Sequence, residues 1–101
     1  MNIQLKKGTL ELCVLSLLSK SDMYGFELAA TLSAHIEISE GTIYPLLKRI
    51  KEEGFVTTYL RESQEGPPRK YYRITDYGLQ TKTTLEEEWK KLKAGMEKLL
   101  N

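Results

Sequence analysis

The chain has 101 residues, 41% apolar and 29% charged, and its 15 Lys+Arg against 14 Asp+Glu leave a net charge of +1. That is room for one domain with a small core. A chain this short buries only about 60–65% of its unfolded surface, so cover from a partner chain is expected. One cysteine, Cys13, and one histidine, His35, exclude an internal disulfide and a His-rich metal site. No apolar run approaches the ~20 residues of a membrane span, and Met1–Lys7 opens no signal-peptide pattern. A cytoplasmic protein without a large catalytic pocket is expected.

The first helical segment covers about Thr9–Ser19, with Leu10, Cys13, Val14, Leu17 and Leu18 on one face. Leu5, Leu12 and Leu15 fall on the opposite face, so this helix needs covering on two sides. Ser21-Asp22 reads as the cap of a second, short helix carrying Tyr24, Leu28 and Leu32 and ending near His35. Ser39 starts a third, where Ile43, Leu46, Leu47 and Ile50 form one stripe and Gly54 is placed to end it. The period then changes. Phe55–Glu62 and Lys70–Ile74 are rich in β-branched and aromatic residues, and Ser63–Pro68 between them reads as a polar loop, giving a hairpin. Thr75-Asp76 begins a last helix that no proline interrupts. Three short helices, a two-stranded wing and a long C-terminal helix make a mostly α, α+β chain of winged helix-turn-helix plan. Its expected parts are a winged-helix domain over residues 1–75 and a dimerisation helix over 76–101.

With Ile43 at the centre of the buried face, Gly41, Tyr44, Pro45, Lys48 and Glu52 point away from the core, flanked by Arg49 and Lys51. Small residues followed by Tyr44 and three cations suit a helix whose start enters a major groove. The same cations would equally serve to solvate an exposed helix face. Pro45 lies beyond the first turn, lacks an amide and crowds the Gly41 carbonyl, so a kinked or tightened start is expected.

Charge is unevenly spread. Residues 38–75 carry seven cations and five anions, +2, whereas residues 1–37 come to −1 and residues 76–101 balance. Arg69 and Lys70 follow the loop, where they can reach a phosphate, and Gln64 and the Gly66 amide add donors. Protection of a strand edge against aggregation would use the same charges.

Three blocks of residues resemble PadR-family transcriptional regulators, in the right order over about residues 5–80. They are Met23–Leu28, Ser39–Arg49 (including Glu40, Gly41 and Thr42), and Glu53–Val56 with Gly66–Thr75 and Gly78. The resemblance implies a homodimeric winged-helix repressor with the third helix and the wing on operator DNA and the last helix making the dimer. A single C-terminal helix is similar to the compact subfamily. Release of DNA by a small aromatic effector is also implied.

In the last helix Leu85, Trp89, Leu92, Met96 and Leu99 are spaced 4, 3, 4, 3, a narrow seam for a second chain. Glu86–Lys90 and Glu87–Lys91 support the helix by about 0.2–0.5 kcal/mol each. Pairing this seam with Leu5, Leu12 and Leu15 of a second protomer would cover both exposed stripes. Trp89 has two readings. It is an interface anchor or, as the resemblance implies, a platform with Leu15 for a flat effector, although Glu86 and Lys93 beside it are charged. An enzyme lacks the inventory: His35 has no evident partner, Cys13 lies on an apolar face, and no phosphate loop or carboxylate pair stands out, so no catalytic residue, metal or cofactor is expected. The remaining alternative is a non-catalytic winged-helix adaptor that binds protein.

Overall fold

The computed structural model describes residues 3–101, with side chains from Gly8 onward; Leu5, expected at a dimer interface, has its side chain outside the described residues. The elements run α1 (Ile3–Leu18), β1 (Met23–Tyr24), α2 (Gly25–His35), α3 (Glu40–Glu52), β2 (Val56–Ser63), β3 (Gly66–Ile74) and α4 (Asp76–Leu100). The strands form one antiparallel sheet in the order β1-β3-β2. The winged-helix plan holds, with a third strand added.

That strand changes the start of α2. Ser21-Asp22 does not cap the helix; Tyr24 does, its N–H donating to the Glu27 carboxylate at 3.2 Å. Asp22 is engaged elsewhere, accepting from the Tyr59 hydroxyl (2.7 Å) and Arg73 Nε (3.0 Å). It thereby ties the α1–β1 loop to the hairpin.

The core gathers Leu10, Val14, Leu15 and Leu18 from α1, Leu28, Ala29 and Leu32 from α2, and the stripe Ile43, Leu46, Leu47 and Ile50 from α3. Phe55, Val56 and Tyr72 close it from the sheet side. Leu15 therefore belongs to this core and not to an exposed stripe. It is 0% exposed within the protomer, because α1 packs against α2, α4 and β3 together and buries a wider arc than one stripe. A side chain with no free surface offers nothing to a partner chain or an effector.

Ser39 caps α3 as expected, but its hydroxyl bonds the Thr42 hydroxyl (3.2 Å) rather than an amide. Its carbonyl accepts from both Thr42 N–H (3.0 Å) and Ile43 N–H (3.3 Å), the tightened first turn that Pro45 led us to expect. At the other end Gly54 N–H donates to the Lys51 carbonyl (3.0 Å) and Phe55 N–H to the Ile50 carbonyl (3.0 Å), with Gly54 at φ 82°. This is the Schellman arrangement, which needs a residue tolerant of positive φ.

The hairpin is longer than its sequence suggests. Gly66–Arg69 belong to β3, and only Gln64–Glu65 turn. Pro67 and Pro68 fit because β1 pairs only Tyr71 and Tyr72 on one side of β3 and the pairing with β2 is interrupted opposite them on the other, so the ladder does not call on their amides. The register passes from Arg61↔Arg69 to Ser63↔Gly66, a bulge with the extra residue in β3.

Thr75 joins the end of α3 to the start of α4. Its hydroxyl donates to the Gly54 carbonyl (2.7 Å) and accepts from Gly78 N–H (3.0 Å), while its own N–H donates to the Phe55 carbonyl (3.0 Å). Helix α4 then passes so close to Phe55 that Gly78 is buried and a Cβ there would overlap the Phe55 carbonyl oxygen. Leu85 leans on the core, and residues 87–100 of α4 are exposed throughout; the molecule measures 52 × 28 × 21 Å.

Candidate nucleic-acid interface

Helix α3 turns one face wholly into the core and so commits the other to solvent. Glu40, Gly41, Thr42, Tyr44, Pro45, Lys48 and Lys51 are exposed, as the stripe requires. Tyr44 keeps 46% of its surface, and its ring rests beside Gly25, where a Cβ would stand 3.4 Å from Tyr44 Cε1. Arg49 differs from its neighbours. It is half-buried, with Nη2 withdrawn from solvent and lacking a hydrogen-bond partner, so it points more toward the protein than toward a groove.

Between α3 and the wing lies a cleft of about 300 Å³, lined by Tyr24, Gly25, Phe26, Tyr44, Arg69, Lys70 and Tyr72. Burial, and then the neighbouring Tyr44, push the Tyr72 phenol above its usual range, so it stays a neutral donor. Gln64, Gly66, Arg69 and Lys70 are all exposed. They do not share one face. Strand alternation puts Lys70 with Tyr72 on the helix side, while Arg69, Tyr71 and Arg73 point to the outer face.

That outer face was not singled out in the sequence. Tyr24, Tyr71 and Tyr59 form a row across the three strands, with centroids 5.5 and 5.6 Å apart. Arg69 lies over Tyr24 at 4.6 Å, Arg61 over Tyr71 at 5.1 Å and Arg73 over Tyr59 at 4.8 Å. The bond to Asp22, its charge and slight desolvation together hold the Tyr59 phenol above its ordinary range. The i, i+2 recurrence of Tyr59-Arg61 and Arg69-Tyr71-Arg73 is the signal that identifies this face.

On the far side of the domain α1, α2 and α4 enclose a groove of about 480 Å³, floored by Leu12, Cys13, Leu17 and Leu32 and overhung by Trp89, with Lys20, His35 and Glu86 among its lining. Leu12 is half-buried here, and burial raises the Cys13 thiol. Trp89, Leu92, Met96 and Leu99 stand exposed along α4. Lys93 Nζ lies over the Trp89 ring at 5.3 Å, and Glu86 pairs with Lys82 (3.3 Å) and Lys90 (4.0 Å). No helix among the described residues is long and apolar enough to cross a membrane.

Residues 14–93 match the sequence profile of the Transcriptional regulator PadR-like family. Among solved structures, a PadR-like transcriptional regulator from Bacillus cereus is 40% identical, with 97% of each chain covered and a TM-score of 0.87. A Streptococcus transcriptional regulator is 34% identical, covering 99% of this chain and 100% of its own, at 0.88. A PadR family transcription regulator from Clostridium difficile is 32% identical, covering 91% and 98%, at 0.83.

Proposed function

The chain belongs to the PadR-like family of transcriptional regulators, a family of regulators and not of enzymes, and from that premise we propose a cytoplasmic homodimeric repressor of an inverted-repeat operator. Helix α3 reads the major groove with Tyr44 near the bases and Lys48 and Lys51 on phosphates, and the wing adds Lys70, Arg69, Gln64 and the Gly66 amide. One observation carries this reading: Ile43, Leu46, Leu47 and Ile50 are buried while Tyr44, Lys48 and Lys51 are open, beside a wing that carries further cations.

The exposed seam of Trp89, Leu92, Met96 and Leu99 supports dimerisation through residues 76–101, with Leu12 and the groove of α1 as the counterpart on the partner chain. Two-fold symmetry then sets two reading helices on one DNA face, with half-sites about one helical turn or more apart. The same groove, apolar and overhung by Trp89, is where a flat aromatic effector would seat.

Selection of bound duplexes from a genomic pool, read by sequencing, tests the reading. An enriched inverted repeat whose affinity falls steeply with salt is expected. Weak retention that is flat in salt and without sequence preference would refute it.

A further inference from the structure

Arg61 and Arg69 face each other in register across β2 and β3, on the outer face of the wing. Two like charges directly opposite on one sheet face destabilise a hairpin. Arg73 on the same face is answered by Asp22 at 3.0 Å, but no ion pair among the described residues includes Arg61 or Arg69. The pair is nonetheless held in place, Arg61 on Tyr71 and Arg69 on Tyr24. A guanidinium held over an aromatic ring by cation–π attraction does not spend its N–H donors on a carboxylate, and those are the donors that fit a phosphate in bidentate fashion.

The tyrosine row does not serve as a stacking platform for bases, because its rings lie against one another and beneath guanidinium groups. The free chemistry of this face is therefore donor chemistry aimed at an anion. Arg69 also lines the cleft that holds Tyr44 and Lys70, which makes the face continuous with the α3 surface.

We propose that the opposed Arg61 and Arg69, set on Tyr71 and Tyr24, form a clamp for one DNA backbone phosphate beside the groove read by α3. The clamp rests on the DNA-binding reading above and adds Arg61 to it. Free of DNA the pair repels itself; a bound phosphodiester neutralises the repulsion and accepts from both forks.

The test compares Arg61→Gln, Arg69→Gln and Lys48→Ala with the unaltered protein, by fluorescence anisotropy on a selected operator duplex and a scrambled duplex over a salt series. Each glutamine variant is expected to lose about tenfold in affinity on both duplexes, and the slope of log affinity against log salt should flatten by about one. Its melting temperature without DNA should hold or rise, since a like-charge pair is removed. Unchanged affinity and slope in the glutamine variants, with Lys48→Ala still weakened, would overturn the clamp alone. Absence of duplex binding by the unaltered protein would instead overturn the DNA-binding reading and the clamp with it. A loss of affinity that tracks a fall in melting temperature would give Arg61 a merely structural role and also overturn the clamp.

Discussion

Gly78→Ala is expected to destabilise the protein, although alanine is the better helix former. Helix propensity alone favours the change by up to about 1 kcal/mol. Against it stands the docking of α4 on the end of α3: an added methyl group would lie 2.7 Å from Ile74 Cγ1 and 3.0 Å from the Phe55 carbonyl carbon, and would overlap the Phe55 oxygen. That oxygen cannot swing away freely, because it accepts from Thr75 N–H at 3.0 Å. Overpacking of this kind costs typically about 1–3 kcal/mol, and more when the neighbour is backbone. The net loss should be near 2 kcal/mol, a fall of roughly 10 °C in melting temperature for a domain of this size. Gly95→Ala is the control: an added Cβ there meets nothing within 4 Å in the protomer, so a gain of about 0.5–1 kcal/mol is expected. Thermal melts of both variants at one fixed protein concentration decide the matter. A Gly78→Ala protein as stable as the original would refute the close docking of α4.

Lys48→Ala should lower affinity on all duplexes and flatten the salt slope, whereas Tyr44→Ala should reduce the preference for operator over scrambled DNA; anisotropy titrations separate the two. Trp89→Ala should weaken the proposed dimer by about 2 kcal/mol or more, read by sedimentation across a concentration series; an unchanged dimer would remove Trp89 as an anchor. Because burial raises the Cys13 thiol, its alkylation near pH 8 should be slower than that of a free thiol, and slower still at concentrations where a partner covers the groove. Tyr72 and Tyr59 have phenols raised by burial and by the bond to Asp22, respectively. Their stabilisation is complete below the unfolded value of about 10 and is lost as pH rises through the folded values. Absorbance at high pH should show phenols that ionise late, and Tyr59→Phe should remove one of them.

The helical framework was legible because its signals are local. The α3 stripe repeats at helical spacing, Gly54 supplies the one backbone conformation that ends the helix, and Thr75 stands where an oxygen can accept from Gly78. Strand β1 was not, since Met23-Tyr24 is too short for any period and its pairing lies some fifty residues away in Tyr71-Tyr72. The two prolines made Gly66–Pro68 read as loop, because sequence does not reveal which strand edge lacks a neighbour. The burial of Leu15 is hidden for a similar reason: the arc of α1 that is buried depends on how many elements wrap it. The α3 surface was visible residue by residue, except for the inward turn of Arg49. The opposition of Arg61 to Arg69 carries no signal in the sequence because it exists only once the register is set.

The weld at Gly54, Phe55 and Thr75 gives the molecule a mechanical property. A helix of 25 residues is a lever of about 37 Å, and its inner end is bonded directly to the end of α3. In the dimer proposed above, a tilt between the two long helices would be handed to the α3 surfaces rather than absorbed in a slack linker. A rotation of about 5° about the far end of such a lever shifts its near end by about 3 Å, close to the spacing of stacked base pairs.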